Sequence, residues 1–259
     1  MVSRERAQEI AKQFVAEYPG ALRLLFYFRG SVAELYGARA GAFSPKLKGG
    51  YVGTQFRHGG KDYNGRVDVV LDNMADEHEL ELTLRHEVAG HYALNTLLPR
   101  AKRAILDAII ASQDEPTLKP LWAAVNEWYA GRPLDELAEE VYALRCESLP
   151  SPAHVAQLVR EHGRSVLAAV EASPGSILTL RDLGALACTV ADNLRDRHCE
   201  QLTFLGVNDL RRRNPQAEPI PLPPSLSGGL LARTPAPQTH AAAPLDVHKP
   251  PQPGRGPRL

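Results

Sequence analysis

The 259-residue chain balances 30 lysines and arginines against 30 aspartates and glutamates, with 44% hydrophobic and 23% charged residues. These are the proportions of a globular protein with one sizeable core. A formal net charge of zero offers no long-range field to gather nucleic acid or anionic lipid, so nucleic acid is not an expected partner. Cys146, Cys188 and Cys199 are too few and too scattered for a disulfide framework or a thiolate zinc knuckle. No run approaches the ~18 apolar residues of a membrane span, and the first residues lack the unbroken apolar stretch of a signal peptide. The expected localisation is therefore cytoplasmic.

In chain order, residues 4–17 place Ala7, Ile10, Ala11, Phe14 and Val15 on one face and predict a helix. Residues 22–28 form a short apolar and aromatic run, a strand or the start of a second helix. Glycine and lysine punctuate 41–60 and predict loops and hairpin turns. Residues 66–72, rich in valine and ending at Asp72-Asn73, make the best strand. Residues 79–98 predict a helix stopped by Pro99, followed by helical patterns at 101–112, 118–130, 134–148, 152–162, 164–172 and 179–200. Twelve of the 21 prolines fall within 214–259, which predicts a disordered tail able to dock on a proline-reading protein module. The expected organisation is one domain over 1–213 and a tail over 214–259. Its fold class is α+β, a small twisted sheet from 22–75 packed on one long helix, then a helical subdomain.

That long helix carries His86-Glu87-Val88-Ala89-Gly90-His91. Two histidines four apart lie about 40° apart around a helix and can share an ion, as in His-Glu-x-x-His. At five apart the separation is about 140°, too wide for one tetrahedral ion. A one-residue bulge would return His91 to the face of His86, and Gly90, which relaxes the backbone and leaves space for close packing, sits where such a distortion is needed. A catalytic zinc needs a third protein ligand. The pattern at 134–148 offers Glu136, Glu139, Glu140 and Glu147; its stripe of Leu134, Leu137, Val141, Leu144 and Ser148 leaves Glu140 nearest the inward face and Glu139 opposite. The candidate metal ligands are thus His86, His91 and Glu140, binding Zn2+. Glu87, pointing to one side of the ion, is the candidate catalytic base for the metal-bound water. His58, His78 and the group Asp192, Asp196, His198 and Cys199 suit solvated surface, and Arg211-Arg212-Arg213 suits a charge run ending a helix.

These residues resemble the gluzincin metallopeptidases, in the His-Glu-x-x-Gly-His variant of the dipeptidyl peptidase III family. That family's second motif, Glu-Glu-x-x-Ala, is matched by Glu139-Glu140-Val141-Tyr142-Ala143. The resemblance implies a zincin-like fold, the second glutamate as ligand, and zinc-dependent hydrolysis of a peptide or protein substrate, with 67–71 as the strand pairing with that substrate. Tyr92, Tyr129 and Tyr142 are candidates for stabilising the oxyanion. The stretch 84–92 is also similar to zincin-like domains of plasmid- and phage-borne proteins. This implies an alternative: a catalytically silent zincin-scaffold binding protein of a mobile genetic element, anti-restriction or conjugation-associated.

Overall fold

A computed structural model describes residues 2–203, the side chains of 162–164 excepted; the proline-rich tail and Arg211-Arg212-Arg213 lie outside the described residues. The protein is α+β, with a small mixed sheet and a largely helical remainder. Strand β1 (Leu24–Arg29) runs parallel to β5 (Gly65–Val70), and β2 (Gly49–Val52) pairs antiparallel with the other edge of β5. Of the two readings of 22–28, the structure takes the strand. β5 is central because its side chains are buried on both faces. Val67 and Val69 enter the main core, while Val70 joins a smaller cluster of Tyr27, Val32, Leu35, Phe43 and Leu47 on the opposite face. That second face is covered by α2 (Val32–Tyr36), a helix the sequence reading did not contain.

Between β2 and β5 stands a separate two-stranded ribbon, β3 (Phe56–His58) and β4 (Lys61–Tyr63). Its tip, Gly59-Gly60, has two positive φ angles, +56° and +77°, the backbone that a two-residue type I′ turn demands.

The helical part begins with α1 (Arg4–Glu17), capped by the Ser3 side chain. Asp76 caps α3 (Glu77–Leu84), which continues without a break into a π-helical segment, Arg85–Tyr92, and a last turn, α4 (Ala93–Asn95). Pro99 does more than end this helix. It opens α5 (Pro99–Ala111) at the first position, where a missing N–H costs nothing. Then come α6 (Lys119–Trp128), α7 (Leu134–Glu147), α8 (Pro152–Leu158) with a second π-helical segment, α9 (Arg164–Ala172) and α10 (Leu180–Asp192), the last opened by a Thr179–Asp182 capping box. Among the described residues no helix is long and apolar enough to cross a membrane.

Candidate metal centre

The five-residue spacing of His86 and His91 is accommodated by the π-helical stretch. Its wider turn brings the two imidazole rings to 5.1 Å between centroids, on one side of the helix. Gly90 serves this geometry through space rather than backbone freedom, since its φ is not positive. A Cβ there would lie 2.7 Å from Ala143 Cβ and 2.8 Å from Ala143 Cα. The glycine therefore lets α7 approach the π-helical segment at contact distance, carrying its glutamates to the histidines.

Glu140 Oε2 lies 3.4 Å from His86 Nε2 and 3.7 Å from His91 Nε2. These separations exceed the ~2.7–2.9 Å of a charge-assisted hydrogen bond. They are close to the roughly 3.3–3.4 Å expected between two donors bound at about 2.0–2.1 Å around one tetrahedral zinc. The other ring nitrogens face second carboxylates: His86 Nδ1 is 2.9 Å from Glu147 Oε1, and His91 Nδ1 is 3.2 Å from Glu139 Oε1. An ionised carboxylate only accepts, so each Nδ1 carries the proton and each Nε2 faces inward. Carboxylates behind imidazoles in this way orient metal-bound histidines.

Glu87 is wholly buried, and among the described residues neither of its oxygens has a hydrogen-bond partner. Its donor atom lies within 4.8 Å of those of His86 and His91, and Oε1 faces Gly49 at the start of β2. Glu139 is buried with the Lys102 ammonium 2.7 Å from Oε2. Burial opposes a charged imidazole at His91, yet Glu140, the bond to Glu139 and the nearby Glu87 hold its pKa up at about 10. Burial also works against the Glu140 carboxylate, and the two histidines outweigh it, taking its pKa well below the usual range. Four carboxylates thus converge on two imidazoles and one lysine, an environment that draws in positive charge and can hold a divalent cation.

All four residues singled out in the sequence, His86, Glu87, His91 and Glu140, meet here. Glu139, read as facing away, is fully buried, because α7 is packed on nearly all sides rather than along one stripe. Leu134, assigned to the inward stripe, is 44% exposed. Lys102 and the contacts of Glu139 and Glu147 with the two imidazoles escaped the sequence reading; a lysine on an amphipathic helix gives no sign that it turns inward. Of the three tyrosines, Tyr129 is the one near Glu140 and Glu87. Burial first, then those carboxylates, push its pKa well above the ordinary value. Tyr92 instead accepts from Asn64, and Tyr142 lies by Cys146. His78, Asp196 and His198 are exposed.

The chain is 45% identical over 219 residues, 84% of its length, to DNA primase TraC of Escherichia coli, and it spans about 15% of that protein. No family model and no solved structure matches it. The likeness overturns the metallopeptidase expectation: membership of the gluzincin peptidases, zinc-dependent peptide hydrolysis, and a peptide or protein substrate are all withdrawn. The physical reason is that two histidines and a glutamate specify an ion and its water, not the bond to be broken. The strand assigned to substrate pairing is also closed to it, since β5 is bonded along both edges. The expectation that nucleic acid is not a partner falls on the same finding. Net charge is a sum over the whole chain and does not describe how charge is distributed over its surface.

Proposed function

We propose that this chain is a metal-holding, zincin-like binding module of a DNA-handling protein of a mobile genetic element, with zinc held by His86, His91 and Glu140. The observation that carries the reading is the convergence of both Nε2 atoms on Glu140 Oε2, at 3.4 and 3.7 Å. The carboxylates behind each Nδ1 and the buried oxygens of Glu87 support it. Bound zinc supplies a Lewis acid. Glu87 would offer such a site a buried hydrogen-bond acceptor. A zincin-like scaffold is supported by the antiparallel edge strand β2 beside the ligand-bearing helix and by the glutamates arriving from a later helix.

The association with DNA rests on the 45% identity to a protein named as a DNA primase. The β3–β4 ribbon has suitable shape and charge. Arg57 and Lys61 are exposed beside its tip, and the stacked rings of Phe56 and Tyr63 stiffen it, with centroids 5.4 Å apart. Asp62 lies 3.7 Å from Arg57, but both side chains are more than 70% exposed, so that pair is weak and leaves Arg57 available to a phosphate. A two-stranded ribbon of this kind fits a nucleic-acid groove.

Elemental analysis of the purified protein tests the metal. Wild type is expected to carry about one zinc per chain, and His86→Ala and Glu140→Ala little. Equal zinc in all three would overturn the assignment. Titration of labelled single-stranded and duplex oligonucleotides at several salt concentrations tests the partner. Replacing Arg57 and Lys61 together by alanine is expected to weaken binding and flatten the log–log salt dependence by about one to two. No binding by wild type at low salt would dismiss the nucleic-acid reading, and an unchanged slope would dismiss the ribbon as its contact.

A further inference from the structure

Lys102 lies on α5, outside the motif-bearing helices, and is completely buried. Its ammonium is 2.7 Å from Glu139 Oε2 and donates to Asn95 Oδ1 at 2.5 Å. Glu139 presents its other oxygen, Oε1, to His91 Nδ1 at 3.2 Å. One carboxylate thus bridges a buried lysine and a histidine whose Nε2 faces Glu140. Asn95 is fixed in turn, because its backbone carbonyl accepts from the Leu202 and Thr203 N–H groups at 2.8 and 3.1 Å, and its side-chain oxygen accepts from the Thr203 hydroxyl at 3.0 Å.

A buried ion pair of this kind contributes little to net stability, because desolvating both charges offsets their attraction. An apolar residue would fill the space without that cost. What the lysine supplies, and an apolar residue would not, is a fixed direction for the carboxylate behind His91.

We infer that Lys102 is a positioning residue of the metal centre, acting through Glu139 to hold His91 with Nε2 turned toward the ion. The inference rests on the metal reading above. Residues behind a ligand in this way typically change metal affinity by about ten- to a hundredfold when replaced.

The test measures zinc affinity by competition with a chromophoric chelator, and the visible spectrum of the cobalt-substituted protein, for wild type, Lys102→Met, Lys102→Arg, Glu139→Gln and the Lys102→Met/Glu139→Gln double variant. Lys102→Met is expected to lose about ten- to a hundredfold in zinc affinity and to shift the cobalt bands. Lys102→Arg should recover part of the loss. The double variant should bind no more weakly than Glu139→Gln alone, since both changes interrupt one chain of contacts. Wild-type affinity and an unaltered cobalt spectrum in Lys102→Met would overturn the inference while leaving the metal reading intact. Losses that add in the double variant would also overturn it, by making Lys102 independent of Glu139. Should Lys102→Met not fold, Glu139→Gln decides: an unshifted cobalt spectrum there removes the carboxylate through which Lys102 is said to act. Absence of zinc and cobalt binding by wild type would instead sink the metal reading itself.

Discussion

Replacing Asp68 by alanine is expected to cost about 3–5 kcal/mol of stability, read as a lower urea midpoint with an unchanged slope. Asp68 sits on the central strand and is fully buried; Arg66, two residues earlier on the same face, is 8% exposed. Arg66 Nη2 donates to Oδ2 at 2.7 Å, Nε stands 2.5 Å from Oδ1 as an ion-pair contact, and the Tyr36 hydroxyl donates to Oδ2 at 3.3 Å. Removing the carboxylate strands the guanidinium under α2, where water cannot replace it, and leaves the tyrosine hydroxyl without its acceptor. Arg66→Met added to Asp68→Leu should recover most of the loss, because the pair's attraction mainly repays its own desolvation. A single variant as stable as wild type would mean that this face of the sheet is open to water.

The sequence disclosed the elements whose pattern is local. α1 follows the apolar spacing of Ala7, Ile10, Ala11 and Phe14, and β5 follows its valines. The motif also implied a bulge, because five-residue spacing on a regular helix keeps His86 and His91 apart, and the structure contains a π-helical stretch there. What depends on three-dimensional surroundings was not legible. Glu139 reads as outward-facing on α7, yet the long-range neighbours His91 and Lys102 make its burial tolerable. β5 looked like a free strand beside the active helix, although both its edges are taken by strands that are distant in sequence or too short to stand out. The residue types of the cluster were readable from the motif and its spacing. What such a cluster acts on was not, because two imidazoles and a carboxylate carry no information about a partner.

Gly90 is where local distortion and long-range packing meet, and Gly90→Ala is expected to lower stability by about 1–3 kcal/mol and weaken zinc binding together. The added methyl would stand 2.7 Å from Ala143 Cβ and 2.8 Å from Ala143 Cα. A flexible side chain could yield at such distances, but Ala143 offers only its own backbone and a single carbon, so α7 itself must move. α7 also carries Glu139, Glu140 and Glu147, all of which contact His86 or His91. A shift that relieves the clash therefore lengthens each of these contacts at once. Adding Ala143→Gly would remove the Cβ clash and leave the one with Cα, so the double variant should recover part of the stability and part of the zinc affinity. The outcome that counts against this coupling is a Gly90→Ala protein with a lowered unfolding midpoint and wild-type zinc affinity; the close approach of α7 would then support the core without setting the geometry of the metal centre.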